Sequence, residues 1–289
     1  QRMTPSALIE HCAKALADAQ VSFGQGTLQA ADEAAWLVLW KLGLPLDTDT
    51  QTLHDELPEA SVEAVLGLLT QRIQTRKPLA YLTQEAWLQG VSFYVDERCL
   101  IPRSLIAEVL ADGSIDPWLN PEAITALDLC TGGASLAVLV ALAYPQLYVQ
   151  ALDISADALA VAAINVERHG LQDRVHLVAS DGLEKAQGTF DLIVCNPPYV
   201  NAQSMARLPL EFQAEPSLAL AGGKDGMDFI RQLLRVVPSY LKEDGILVLE
   251  IGNEFEHFIA AFPHLEFTGL YTSAGDTQVL LITQSALLA

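Results

Sequence analysis

The spacing of apolar positions changes twice along the chain. Behind Thr4-Pro5, Leu8, Ile9, Cys12, Leu16 and Ala19 recur at helical intervals, and Pro5 suits the first helical position. A second helix is predicted over about 31–42, apolar at Ala35, Trp36, Leu39 and Trp40 and stopped by Gly43 and Pro45. A third covers about 61–77 and ends before Pro78. The Trp36/Trp40 stripe reads as helix-bundle core rather than a ligand-stacking surface. Between Tyr81 and Pro102 the pattern shortens. Trp87, Val91, Phe93 and Val95 predict short strands turning at Gly90, and Cys99-Leu100-Ile101-Pro102-Arg103 leads into a new helix.

From Ile124 onward strands and helices alternate. Strands are predicted over 126–129, 149–154, 175–179, 192–195 and 246–250, with helices between them that include 155–169 and 227–241. The early strands are continuous apolar runs, as expected for strands buried on both faces of a parallel sheet. That pattern predicts a doubly wound α/β fold. The last two strands, 267–271 and 279–283, are separated by a Ser273-Ala274-Gly275-Asp276 turn. The gap holds no crossover helix, so the final strand is expected to return antiparallel. The expected organisation is a helical domain over 1–82, a linker with a short hairpin over 83–104, and the α/β domain over 105–289.

Composition narrows the function classes. Of 289 residues, 51% are hydrophobic, enough for a sizeable core. No apolar run reaches the ~18 residues of a membrane helix, and the N-terminus lacks a signal-peptide pattern, so a cytoplasmic protein with no membrane association is expected. The net charge is −20, and no run of Lys and Arg interrupts it. Such a chain repels a phosphate backbone, so strong nucleic-acid binding is not expected, and a basic protein is the better partner. Cys12, Cys99, Cys130 and Cys195 are far apart, without a CxxC pair or a nearby histidine, so neither a metal site nor a disulfide is expected.

Polar groups gather at the strand ends, where open α/β sheets bind ligands. The first strand ends Asp128-Leu129-Cys130-Thr131-Gly132-Gly133-Ala134, a small-residue turn that lets a ligand approach the backbone and the following helix N-terminus. The second ends at Asp153, 25 residues after Asp128, where a carboxylate can accept both ribose hydroxyls of a nucleoside. The third ends Ser180-Asp181, an acceptor for the exocyclic amine of adenine. The G-x-G-x-x-G fingerprint of a nicotinamide dinucleotide is absent.

The fourth strand runs straight into Asn196-Pro197-Pro198-Tyr199. Two prolines fix φ and remove two N–H donors, which leaves a stiff, acceptor-rich loop. The Asn196 side-chain oxygen and the Pro197 carbonyl together can take both protons of an –NH2 group, and Tyr199 can stack on a flat substrate. The nitrogen of an amide or aryl amine is a poor nucleophile because its lone pair is delocalised. Acceptors on both N–H bonds orient that nitrogen and favour the pyramidal geometry of a transition state. On this chemistry alone, a glutamine amide and an adenine amine both remain open.

At these residues the chain resembles the class I S-adenosyl-L-methionine-dependent methyltransferases and, more narrowly, the protein-(glutamine-N5) methyltransferases. The resemblance takes in Lys77-Pro78-Leu79-Ala80-Tyr81-Leu82, Leu100-Ile101-Pro102-Arg103, the Asn-Pro-Pro-Tyr loop, Glu215-Pro216 and Gly222-Gly223-Lys224-Asp225-Gly226. Arg103-Ser104-Leu105-Ile106, Asp128-Leu129-Cys130-Thr131-Gly132 and Leu208-Pro209-Leu210-Glu211-Phe212 look more like the branch acting on ribosomal protein L3 than the branch acting on release factors. The resemblance implies a seven-stranded, mostly parallel sheet with an antiparallel last strand and a small helical N-terminal domain. It implies S-adenosyl-L-methionine as methyl donor, S-adenosyl-L-homocysteine as product, no metal, and a glutamine side chain, in L3 first and in a release factor second, as acceptor. N6 methylation of adenine is the other alternative.

The same resemblance assigns roles. Asp153 would hold the ribose, Thr131-Gly132-Gly133-Ala134 would line the methionine portion and Asp181-Gly182 the adenine, with Asp128, Cys130, Ile154 and Asn196 also among the cofactor-binding residues. Pro102 and Arg103 would shape the substrate pocket, with Asn196, Pro197, Pro198 and Tyr199 around the reacting amide. The chain departs from the family in three places, one of them the final hairpin, where Ala274-Gly275-Asp276-Thr277 lacks the usual glycine pair. Ala134 stands where the family has glycine, which predicts a shifted helix or weaker cofactor contact. Gly182 stands where an aromatic residue is usual, so adenine stacking is expected to be lost or supplied elsewhere.

Overall fold

The computed structural model describes residues 3–289 and divides the chain into two compact units. The first holds residues up to Ala86 together with Leu208–Ala214, and the second holds Trp87–Arg207 and Glu215–Ala289.

The first unit is helical: α1 (Pro5–Asp18), α2 (Ala30–Lys41), α3 (Glu59–Thr75) and the short α4 (Leu79–Thr83). Thr4 caps α1, its hydroxyl accepting the Ala7 N–H at 3.3 Å. Leu8, Cys12 and Leu16 then fall on one buried face and join Leu37, Val38, Val65 and Leu69 in a single apolar core. Trp36 and Trp40 pack against that core, as their spacing predicts. One ion pair is sealed inside: Arg72 Nε donates to Glu33 Oε2 at 3.0 Å, with both side chains at most 5% exposed.

β1 (Glu85–Leu88) and β2 (Val91–Tyr94) make a two-stranded hairpin, within which the chain passes from the first unit to the second. The hairpin from Trp87 onward therefore counts with the second unit rather than forming a separate 83–104 linker. The chain continues through α5 (Ile106–Ala111), β3 (Thr125–Leu129), α6 (Ser135–Ala143), β4 (Tyr148–Asp153), α7 (Ala156–Arg168), β5 (Val175–Ala179) and β6 (Phe190–Cys195). α8 (Ala202–Met205) and α9 (Leu210–Gln213) follow, then α10 (Asp228–Val236), β7 (Leu241–Glu250), α11 (Phe255–Ala261), β8 (Thr268–Thr272), β9 (Gly275–Thr283) and α12 (Gln284–Leu288). α9 counts with the helical unit because Glu211, 3% exposed, accepts the Ser22 N–H at 2.6 Å, while Gln25 Nε2 donates to its carbonyl at 3.2 Å.

The seven-stranded sheet has the order β5-β4-β3-β6-β7-β9-β8, and β9 runs antiparallel to both its neighbours. Alternate residues of the central strands feed opposite cores. Ala126, Leu192, Val194, Ile246 and Val248 pack on one face, and Leu127, Leu129, Ile193, Cys195, Leu247 and Leu249 on the other. Covering both faces explains why these strands read as unbroken apolar runs. Among the described residues, no helix is long and apolar enough to cross a membrane.

Candidate active site

The order of the large sheet reverses at β3, whose neighbours are β4 and β6. The crevice beyond their carboxyl ends is where such a sheet receives a ligand. A cavity of about 250 Å³ lies there, walled by Cys130 and Gly132 after β3, Asp153 and Ile154 at the end of β4, Asp181 and Gly182 after β5, and Asn196 and Pro198 after β6. Parallel register pairs Leu129 with Cys195, so Cys130 and Asn196 leave the sheet side by side.

The turn from β3 into α6 is strained and heavily tied down. Cys130 and Ala134 have φ of 60° and 68°, a conformation that costs about 1–2 kcal/mol for a residue with a Cβ. Hydrogen bonds over-determine it. Thr131 N–H donates to the Leu152 carbonyl at 2.9 Å and Gly132 N–H to Asp153 Oδ2 at 2.8 Å. Thr131 Oγ1 and Ala137 N–H donate to Asp128 Oδ2 at 2.6 and 3.1 Å, and Asn165 Nδ2 to the Gly133 carbonyl at 2.8 Å. Asp128, Thr131, Gly133 and Ala134 are thus buried supports of the turn and do not wall the cavity. The Ala134 methyl, expected to disturb cofactor contact, sits in the apolar cluster with Val138 and Ala162. Asp128 Oδ1 is buried without a hydrogen-bond partner, and burial pushes this carboxyl up to about 7 against the lowering effect of its Thr131 bond.

Asp153 accepts Gly132 N–H on Oδ2 and Ser155 N–H on Oδ1, at 2.8 and 2.9 Å. Each oxygen keeps a lone pair for a further donor. Asp181 is exposed, and beside it Gly182, with φ of 57°, faces open space with no atom within 4 Å of where a Cβ would lie. The aromatic wall comes from Phe229, in the first turn of α10. Arg98, Leu218 and Phe229 border the cavity but belong to none of the strand-end motifs. The one sequence signal was an aromatic residue three positions past Gly226, at the start of a helix.

The Asn196–Tyr199 loop lies beside this cavity. No hydrogen bond ties the Asn196 side chain or the Pro197 carbonyl to any described residue. The loop's far end is clamped. Val200 N–H donates to the Leu220 carbonyl and Gly222 N–H to the Val200 carbonyl, both at 2.8 Å. A Cβ on Gly222 would lie 2.6 Å from Tyr199 Cα, and one on Gly252 would lie 2.4 Å from the Tyr199 ring. Tyr199 OH donates to Glu250 Oε2 at 3.0 Å, and burial, then the Glu250 charge, holds the phenol well above its ordinary value. The ring expected to stack on substrate is therefore fixed by its hydroxyl and by Gly252.

Pro102 is buried and Arg103 partly exposed, and neither walls the cavity. Arg103 Nη1 donates to Glu215 Oε2 at 2.8 Å, and the same oxygen accepts Ile101 N–H at 2.9 Å. The Glu215 side chain is 0% exposed, so this pair fixes the Pro102-Arg103 corner from inside. Burial pushes the Cys99 thiol up to about 12 and the Cys195 thiol above its ordinary value as well. Thiols held protonated are poor nucleophiles. The site offers acceptors and carboxylates at the strand ends.

A family model for the methyltransferase small domain matches residues 117–224. The ribosomal protein uL3 glutamine methyltransferase of Burkholderia pseudomallei is 47% identical over 97% of this chain and 94% of its own length. Its counterpart in Bordetella pertussis is 48% identical over 97% of this chain and 95% of its own length. Among solved structures, the hMettl16 catalytic domain in complex with MAT2A 3′UTR hairpin 1 aligns with a TM-score of 0.54 at 15% identity, covering 80% of this chain and 83% of that one, a likeness of fold alone.

Proposed function

Because the chain belongs to the family of ribosomal protein uL3 glutamine methyltransferases, we propose that it transfers a methyl group from S-adenosyl-L-methionine to the side-chain amide nitrogen of a glutamine in uL3. The observation that carries the reading is Asn196, which walls the strand-end cavity and whose side chain no described residue pairs; the buried Pro197 follows it directly without walling the cavity.

The residues fit the cofactor. Asp153 has a lone pair on each oxygen for the ribose hydroxyls, Asp181 stands exposed for the adenine amine, and Phe229 offers a flat apolar face. When bound, the cofactor supplies an electrophilic methyl group on a sulfonium. The chain's own part is alignment. Asn196 Oδ1 and the Pro197 carbonyl accept one amide proton each, turn the nitrogen lone pair toward the cavity and raise its electron density. The prolines keep both acceptors in place without reorganisation during the reaction. No general base is needed, because the proton leaves to water after transfer. The net charge of −20 favours a basic protein over a polyanion as substrate. The helical unit is assigned to recognising that protein.

The test is incubation with labelled S-adenosyl-L-methionine and, separately, uL3, a release factor and unmethylated DNA, with the label mapped by mass spectrometry. Label on one glutamine of uL3 is expected. Label on adenine and on no glutamine would sink the reading, and label on the release factor alone would move it to the other branch. Asn196→Ala should lower kcat by about 10²–10³-fold, the usual cost of one transition-state hydrogen-bond partner.

A further inference from the structure

Glu250 is the last residue of β7, one position beyond Leu249, which pairs in register with Cys195 at the end of β6. Asn196 therefore leaves its strand beside Glu250. The Glu250 carboxylate is 4% exposed. Burying a carboxylate costs several kcal/mol unless its oxygens are paired. Here they are: Oε1 accepts Ser104 Oγ at 2.9 Å and Leu105 N–H at 2.7 Å, and Oε2 accepts Tyr199 OH at 3.0 Å. Ser104 Oγ in turn accepts Ile106 N–H, at 3.2 Å, at the start of α5. One buried carboxylate thus joins the sheet, the start of a helix and the far end of the Asn-Pro-Pro-Tyr loop.

The intervening residues make that link matter. Between Asn196 and Tyr199 stand two prolines with fixed φ. A flexible spacer would absorb a shift of Tyr199. A Pro-Pro spacer passes it to Asn196 and to the Pro197 carbonyl. Gly252 completes the seat, since any Cβ there would strike the Tyr199 ring.

We propose that Glu250 is a positioning residue for methyl transfer, acting through the Tyr199 hydroxyl to hold the Asn196 and Pro197 acceptors in register with the cofactor cavity. The inference rests on the glutamine-transfer reading above. Glu250 touches neither substrate nor cofactor in this role. Its effect therefore belongs in kcat, and it should vanish once Tyr199 has lost its hydroxyl.

The experiment is a double-mutant cycle on the full chain with Tyr199→Phe, Glu250→Gln and the double variant. It reads kcat and KM for uL3 methylation together with S-adenosyl-L-homocysteine affinity by calorimetry. Each single variant should lower kcat about tenfold or more, leave cofactor affinity within about threefold, and lose no further activity when combined. A kcat for Glu250→Gln equal to wild type overturns the proposal. So do losses that multiply in the double variant, or a loss confined to melting temperature and cofactor affinity. Where Glu250→Gln is too unstable to assay, Ser104→Ala removes another partner of the same carboxylate and should lower kcat in the same direction, and an unchanged kcat there also overturns the proposal. The wild-type assay separates the two readings. A wild type that methylates no glutamine refutes the parent function and this role with it, whereas an active wild type with an equally active Glu250→Gln refutes this role alone.

Discussion

Replacing Asp128 by asparagine should change how stability depends on pH while leaving the cofactor cavity intact. The carboxyl is 1% exposed, one oxygen serves Thr131 and Ala137, and the other has no partner. Burial raises it to about 7 in the folded chain, against the ~3.9 of an unfolded aspartate. Between those values the folded state holds a proton that the unfolded state has released, so stability falls as pH rises. The contribution is fully present below about pH 4 and lost by the time pH has passed 7. Three pKa units at ~1.36 kcal/mol each set its span at up to about 4 kcal/mol.

Asparagine keeps one acceptor oxygen for Thr131 and Ala137 and carries no titrating proton. Urea unfolding at intervals from pH 4 to pH 8 should therefore show the wild type losing its advantage over Asp128→Asn, the difference shifting by as much as about 4 kcal/mol in favour of the variant. S-adenosyl-L-homocysteine affinity at pH 8 should change little, since Asp128 does not wall the cavity. Parallel pH curves for the two proteins would refute the assignment of a buried, protonated carboxyl. A large loss of affinity would show that Asp128 meets the ligand directly.

Three further outcomes are expected. Ala134→Gly relieves about 1–2 kcal/mol of left-handed strain but forfeits a buried methyl worth ~0.8 kcal/mol and loosens the unfolded chain, so denaturation should place it within about 1 kcal/mol of wild type. Its cofactor affinity should be unchanged by calorimetry, and a tenfold gain would show that the methyl reaches the cavity. Gly252→Ala puts a Cβ into the Tyr199 ring, and steady-state kinetics should show kcat falling at least about tenfold with cofactor affinity retained. Arg72→Met strands the Glu33 carboxylate, 4% exposed, and should cost about 3–5 kcal/mol in chemical unfolding. Arg72→Met with Glu33→Gln should recover most of that loss, and equal stability of the single and double variants would contradict a sealed ion pair.

The α/β alternation was legible because the central strands are apolar on both faces, and this gives runs that no surface element shows. Strand and helix ends were blurred where polar residues continue an element. β7 begins at Leu241 rather than 246 because Lys242, Glu243 and Asp244 extend it past the apolar run. The helix expected over 227–241 stops at Val236, since Pro238 cannot donate to the helical ladder and the chain tightens into a 3₁₀ turn. α9 joins the helical unit through Glu211, a contact across 189 residues from Ser22 that no local pattern announces.

The same division runs through the site. The placement of Asp153, Asp181 and Asn196-Pro197-Pro198-Tyr199 was legible because each stands at or just beyond the end of its own strand. The contacts of Glu250 and Phe229 were not, because they depend on which strands are neighbours and on where a loop returns. A Pro-Pro loop explains why the difference matters. Its stiffness guarantees the spacing between its two acceptors, but stiffness says nothing about where the pair points. That direction needs a fixed point at each end. One is β6, continuous with the motif. The other is Glu250, 55 residues beyond Cys195 in sequence and adjacent only through the parallel register of β6 and β7. The chemistry of the amide holder is therefore written locally, while its aim is written in the sheet.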